Sequence, residues 1–271
     1  MKISAFLIGA GLLGAQLVSM AGPAQAGGDG GGGSGSYPPS CPVSYSKLKT
    51  ALQAADKANV NCVAASAGQK CGGFKNHFWA VVVNRQGVVC AVAFSGTYQD
   101  SQWLASRQIA AAKAFTANGL SLNLGSPTGT GALSTAQLYQ FVQPSNANVA
   151  NPLFALDGGN VMDSAAAYNG DYESFGTPND PMIGYRVGGT ITFGGGLALY
   201  NGNTAVGGLG LSGDTACTDH SVAWATRTGL GMAPSPATDL LTFATNAAMT
   251  NGHPSCPNDS NINGASNAPQ T

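Results

Sequence analysis

Phe78-Trp79-Ala80-Val81-Val82-Val83-Asn84-Arg85-Gln86-Gly87-Val88-Val89-Cys90-Ala91-Val92-Ala93-Phe94 is the stretch that decides the fold. Two apolar runs rich in β-branched residues flank a short polar segment that ends in glycine. The first run, 78–83, reads as a buried strand, Asn84–Gly87 as a turn, and 88–94 as the returning strand of a hairpin.

Working outward, Ser44 opens a helical stretch with Leu48, Leu52 and Ala55 on one face. Downstream, Ser101 is expected to cap a helix in which Leu104, Ala105, Gln108, Ala112 and Phe115 keep helical spacing as far as Asn118-Gly119. Ser134 to Phe141 reads as another short helix. From Gln143 to Val187 the periodicity dissolves, which marks a functional segment or a packed insertion. Strands are expected at 189–193, 197–200 and 204–211, the last two joined by the turn Asn201-Gly202-Asn203. Asp219 is placed as the cap of a helix reaching about Leu230. Ser235-Pro236 is placed at the start of a last helix carrying Leu240, Leu241, Phe243, Ala244 and Ala247. The order predicts an α+β fold, a central antiparallel sheet flanked by helices, in a single domain with an irregular insertion at 143–187.

The ends carry other signals. Met1-Lys2, an apolar run from Ile3 to Val18, the break Gly22-Pro23 and the small-x-small Ala24-Gln25-Ala26 read as an export signal over 1–26. The run is too short and too interrupted for a membrane anchor, so no span is expected once the signal is removed. Residues 27–40 form a Gly-rich linker, 41–250 the folded domain and 251–271 a polar tail. The expected product is secreted or periplasmic. Export makes the six cysteines candidates for disulfides, with Cys62–Cys71 the favoured pair; the remaining pairings stay open. No C-x-x-C or C-x-x-C-H occurs.

Charge excludes one class of partner. The chain has 11 Lys+Arg and 12 Asp+Glu, so 8% of its residues are charged, against about 25% in ordinary domains. No basic run exists to grip a phosphate backbone, and nucleic acid is set aside.

Several motifs are weak. Ser212, Asp214, Asp219 and His220 lie too close in sequence to converge as a catalytic triad, and the surrounding pattern is not a nucleophile elbow. Ser212-Gly213-Asp214 instead shapes a strand-to-helix turn. Gly194-Gly195-Gly196 lacks the Lys-Ser/Thr of a phosphate loop and marks a bend. No paired carboxylates or nucleophile–base pair stands out, so no enzyme activity is expected. There are three histidines. His220, Trp224 and Arg227 share one stripe of the expected 219–230 helix, offering an imidazole, a flat apolar wall and a cation. On the earlier helix Lys113 and Thr116 are neighbours, with Arg107 about two turns back.

Taken together, Ala80–Phe94, Ile109-Ala110-Ala111-Ala112-Lys113-Ala114-Phe115-Thr116-Ala117 and Ala205–Gly213 with Asp219 resemble the GlcG/HbpS family of haem-binding proteins. The likeness spans about 44–118 and 188–231. Asn84 stands where the family usually has Asp. The resemblance implies an α/β domain assembled as a homo-oligomer, and binding of haem or a related tetrapyrrole in haem and iron capture or redox sensing. Residue by residue, Lys113 and Thr116 match the family's helix motif, and Ser212, Gly213 and Asp219 its late motif. On stripe and resemblance together, His220 is expected as the axial ligand to iron, followed by Thr116. Trp224 is expected as a wall of an apolar groove, with Arg227 or Lys113 at the propionates. Two rivals remain: an extracellular structural or self-assembling protein without cofactor, and an enzyme acting on tetrapyrroles or small acids.

Overall fold

The computed structural model describes residues 40–61, 72–127, 131–144, 153–156 and 161–257. The expected export signal, the Gly-rich linker before Ser40, the expected Cys62–Cys71 pair and most of the 251–271 tail lie outside them. The elements are α1 (Tyr45–Val60), β1 (Trp79–Asn84), β2 (Val89–Phe94), α2 (Ser106–Leu120), α3 (Thr135–Val142), α4 (Ser164–Ala167), β3 (Gly196–Asn201), β4 (Thr204–Ser212) and α5 (Ala216–Gly229). The strands make one four-stranded antiparallel sheet in the order β2-β1-β4-β3. The fold is therefore α+β, and the hairpin and second strand pair stand where the sequence predicts them.

Burial explains the unbroken apolar run of β1. Alternate side chains of a strand face opposite sides of the sheet. Ala80 and Val82, with Ala91, Ala93, Leu197, Leu199, Leu209 and Leu211, pack against Leu48 and Leu52 of α1 and Val222, Ala223 and Trp224 of α5. Trp79, Val81 and Val83 pack the other way, against Ala110, Ala111 and Ala114 of α2. Ala167, Phe175, Met182 and Val187 complete that second cover. The sheet is thus clad on both faces, and the aperiodic 161–187 segment is part of the cladding.

α2 lies directly on the sheet because glycines let it. A Cβ on Gly210 would sit 2.0 Å from the Ala110 carbonyl oxygen, and one on Gly208 would sit 2.2 Å from that of Ala114. Real Cβ atoms do not approach backbone so closely, so the Gly-rich β4 is a packing requirement of the helix–sheet layer.

Four expectations need correction. α2 starts at Ser106, and Ser101 instead accepts from the Tyr98 N–H within a single 3-10 turn. Residues 189–193 form no strand: Gly188, Gly189 and Gly195 have φ of 68°, 81° and 118°, which breaks the pleat. α5 begins at Ala216, capped by Thr215 through the Thr218 N–H, and Asp219 lies inside its first turn. The last helix is absent. From Ser235 to Cys256 the chain is an irregular strap along α5, held by tertiary bonds that override the helical spacing of Leu240, Leu241, Phe243 and Ala244. Within it, Thr242 O accepts from His253 N and Ala244 N donates to His253 O, each at 2.8 Å.

Disulfides Cys41–Cys90 and Cys217–Cys256 tie α1's leading segment to β2, and the strap to the first turn of α5.

Candidate functional site

The five expected binding residues lie on α2 and α5, and all are buried. His220, Trp224 and Arg227 do form one stripe, at the i, i+4 and i+7 spacing of a helix. The stripe faces β3 and the strap. Arg227 donates to Asp239 Oδ1 at 2.9 Å and to the Ala198 carbonyl at 3.0 Å. Its guanidinium lies 4.7 Å from the centre of the Trp224 ring. On α2, Lys113 Nζ meets Asp219 Oδ2 at 2.6 Å, with both side chains 3% exposed. Thr116 Oγ1 donates to the Ala112 carbonyl at 2.7 Å and accepts from Ile191 N at 3.0 Å. The charges of Lys113 and Arg227 are thus each met by a buried carboxylate.

Asp219 explains much of the local geometry. Its Oδ1 accepts from the N–H groups of Gly213 and Asp214 at 3.0 and 2.9 Å, fixing the turn between β4 and α5. Burial pushes its carboxyl up to about 6, against the pull of the Lys113 ammonium and these hydrogen bonds. The triple glycine threads the same spot: a Cβ on Gly195 would lie 2.9 Å from Lys113 Nζ and 3.0 Å from Asp219 Cβ.

His220 is unlike its neighbours. It is fully buried, and neither ring nitrogen has a hydrogen-bond partner among the described residues. Burial holds its pKa well below the ordinary value, with Arg227, His253 and Lys113 acting in the same direction, so the ring is neutral. An unsatisfied buried imidazole costs about 1–3 kcal/mol. A neutral imidazole is the form that ligates metal.

These residues meet only half of what haem requires. His220 offers a donor, but the space beside it is filled: a Cβ on Gly194 would fall 2.9 Å from His220 Cβ and 2.3 Å from the Ala216 carbonyl. Trp224 packs into the core, and the two cations are committed. A planar macrocycle does not fit between His220 and its present neighbours.

A different opening has the size. Ser46, Lys47, Thr50, Ala51, Ala54, Ala55 and Ala58 of α1 face Ala225, Gly229 and Leu230 at the end of α5 across a groove of about 750 Å³. That lies within the range of ligand pockets, about 300–1,000 Å³. Small side chains at spacing i, i+4 keep the helices' facing ridges low, which opens the trough. Ala225 and Gly229 lie on a different face of α5 from His220, Trp224 and Arg227. Among the described residues the groove supplies apolar walls, the Lys47 ammonium and the hydroxyls of Ser46 and Thr50, and no imidazole, thiolate or phenol.

Sequence reasoning missed the partners of these groups. Asp239 and Asp180 bind Arg227 and Arg107 from distant positions, so no local spacing announces them. Arg107 is 1% exposed. His253 and Cys256 stand in what reads as a polar tail. Their one signal is spacing: Cys217-x-x-His220 on α5 is mirrored by His253-x-x-Cys256 on the strap.

Comparison with known proteins agrees with the resemblance. Two solved structures are similar to the chain: the Klebsiella pneumoniae protein ORFY, at 18% identity over 70% of this chain and 90% of that one with a TM-score of 0.41, and the PduOC–haem complex, at 19% identity over 70% and 96% with a TM-score of 0.42. No curated protein matches. The model of the haem-degrading HbpS-like proteins matches residues 47–227, from the first turn of α1 to Arg227. By that match, which covers the whole sheet and both helical layers, the chain belongs to the HbpS-like haem-degrading protein family.

Proposed function

We propose that this is an exported haem-binding protein whose macrocycle sits in the groove between α1 and α5. Family membership carries the reading, and the groove supports it with a volume in the range of ligand pockets and largely apolar walls. Lys47 faces a propionate at the rim. Bound haem would bring iron redox chemistry; the chain's part is to shelter the ring from water and hold one carboxylate. His220 serves the interior in this reading and is not the axial ligand. Export is supported by the 1–26 pattern and by the disulfides Cys41–Cys90 and Cys217–Cys256, which persist in oxidising compartments.

Hemin titration of the purified mature protein, followed at the Soret band, tests the reading. The band is expected to shift on binding, to weaken at least tenfold in affinity in Ala54→Trp, which fills the groove from an exposed position, and to persist in His220→Ala. A spectrum identical to free hemin overturns haem binding. A band lost in His220→Ala but kept in Ala54→Trp moves the site to α5. Amino-terminal sequencing of protein from the culture fluid or periplasm is expected to begin at Gly27.

A second reading, haem breakdown, has the family's own description behind it. Incubating the hemin-loaded protein with ascorbate in air distinguishes the two: loss of the Soret band faster than from free hemin adds degradation to binding.

The structural rival has less support. β2 is an edge strand, but Val89 N already donates to the Tyr185 carbonyl and Val89 O accepts from Gly184 N, each at 2.9 Å. On β3, Tyr200 N is taken by the Met232 carbonyl at 2.9 Å. These bonds occupy Val89 on one edge and Tyr200 on the other, which leaves less of either edge open to an added strand. The homo-oligomer expected from the family would form through helical faces instead, and light scattering of the mature protein tests it.

A further inference from the structure

We propose that the Cys217–Cys256 disulfide is the oxidised form of a metal centre, and that its reduction lets Cys217, Cys256, His253 and His220 bind one borderline divalent cation such as Zn²⁺. Three of these residues already converge: the Sγ atoms of Cys217 and Cys256 and a ring nitrogen of His253 lie within 4.8 Å of one another. Tetrahedral zinc, with bonds of about 2.0–2.3 Å, needs its N and S donors roughly 3.5–4 Å apart. For Cys217, Cys256 and His253, once the S–S bond opens, separations of that size require side-chain rotation and no change of fold.

The surroundings match what such ligands need. His253 is 1% exposed, and its Nδ1 donates to the Pro254 carbonyl at 2.7 Å. That bond fixes the tautomer and leaves Nε2 as the lone-pair nitrogen, the arrangement in which metal-bound histidines are held. Among the described residues Nε2 accepts only a long 3.3 Å contact from Gly194 N. Cys217 N–H, in the first turn of α5, donates to Cys256 Sγ at 3.2 Å. A helix-start N–H on sulfur favours thiolate. His220 is one turn along α5 from Cys217, and no polar atom among the described residues meets its two buried nitrogens. Gly194 lies between the two: its N–H contacts His253 Nε2 at 3.3 Å, and a Cβ built on it would fall 2.9 Å from His220 Cβ. Burial keeps both rings neutral, as ligands must be: His253 is pushed down to about 4.

The chemistry balances. A dithiol reductant gives two electrons and two protons to the Cys217–Cys256 bond and becomes a disulfide. Zn²⁺ then displaces both thiol protons to water. Two thiolates, two neutral imidazoles and a dication sum to zero charge, so the centre can lie in this interior without an uncompensated ion. Cys256 is partly exposed and gives the reductant its point of attack. Loaded with metal, the centre would pin the strap to α5 as the disulfide does.

The test uses Co²⁺ and Zn²⁺ with the full mature protein, oxidised and after anaerobic dithiothreitol. Reduced protein is expected to take up one Co²⁺ with thiolate charge-transfer and tetrahedral d–d absorption, both bleached by one equivalent of Zn²⁺; oxidised protein gives neither. Cys256→Ser and His253→Ala are each expected to lower affinity at least a hundredfold, and His220→Ala at least tenfold with an altered d–d envelope. Because such variants can unfold, a second measurement uses the unaltered chain: Zn²⁺ should protect Cys217 and Cys256, and no other cysteine, from alkylation as mapped by mass spectrometry. No charge-transfer band in reduced protein that retains its circular dichroism, or protection of other cysteines, overturns the proposal. Hemin binding in the α1–α5 groove uses none of these four residues, so failure of either reading leaves the other standing.

Discussion

Lys113 of α2 and Asp219 of α5 meet at 2.6 Å across the sheet's end, both nearly sealed from water. The pair joins two helices that cover opposite faces of the sheet, and Asp219 simultaneously holds the turn leading into α5. Breaking one side of such a pair strands the other charge in the interior.

Lys113→Met is therefore expected to lower stability by about 3–5 kcal/mol at pH 7. The loss should shrink on acidification. Asp219 already titrates near 6 in the folded protein, above its unfolded value of about 3.9. A raised folded pKa gives stability that is greatest below the unfolded value and declines as pH rises through the folded one. Removing Lys113 raises the folded pKa further, so at pH 5 the variant's Asp219 is protonated and needs no partner. Urea denaturation of both proteins at pH 7 and pH 5 measures the difference; an equal deficit at both would contradict it.

Asp239→Ala should unpair the buried Arg227 and release the middle of the strap. A loss of about 3–5 kcal/mol is expected, with faster proteolytic cutting between 236 and 256 than in the parent. Peptide mapping of limited digests locates the cut.

The double change Cys217→Ser with Cys256→Ser opens a bridge spanning 39 residues of sequence. For that separation a loss of about 2–4 kcal/mol is expected, read as a lower melting temperature in calorimetry under non-reducing conditions. With dithiothreitol and a chelator present, the gap between parent and variant should close.

Gly210→Ala is expected to lower stability by more than 3 kcal/mol, because the added methyl meets the α2 backbone and overpacking costs of about 1–3 kcal/mol assume side chains that can yield. Gly119→Ala is the control: it lies on α2 with open space around it, and should stabilise by up to about 1 kcal/mol. Thermal melts by circular dichroism rank the two.

The hairpin was legible because its information is local: two apolar runs, the turn and its glycine all fall within residues 78–94. The short helix at Ser134 was legible for the same reason, since the box between Ser134 and Gln137 that starts it is three residues long. The strap was not. Its apolar residues keep helical spacing, yet Leu241 is drawn to Cys217 and Ala136, and Asp239 to Arg227. Contacts gathered across the fold outweighed a weak local preference. The stripe of His220, Trp224 and Arg227 was found correctly as a stripe, but sequence carries no notice of what covers it. Lys113 and Arg107 likewise carry no local sign of Asp219 and Asp180, the distant aspartates that pair with them.

The main-chain contact between α2 and the glycines of β4 has a further consequence. Where carbonyl oxygens touch the strand directly, no layer of side chains remains to be resized, and the distance between helix and sheet is set by the backbone alone. Drift in sequence, or an engineer's attempt to enlarge the interior, has little to work with on that side. Freedom to reshape this molecule resides across the sheet, where α1 and α5 meet through alanines and a glycine, and substitutions there can reshape or close the trough.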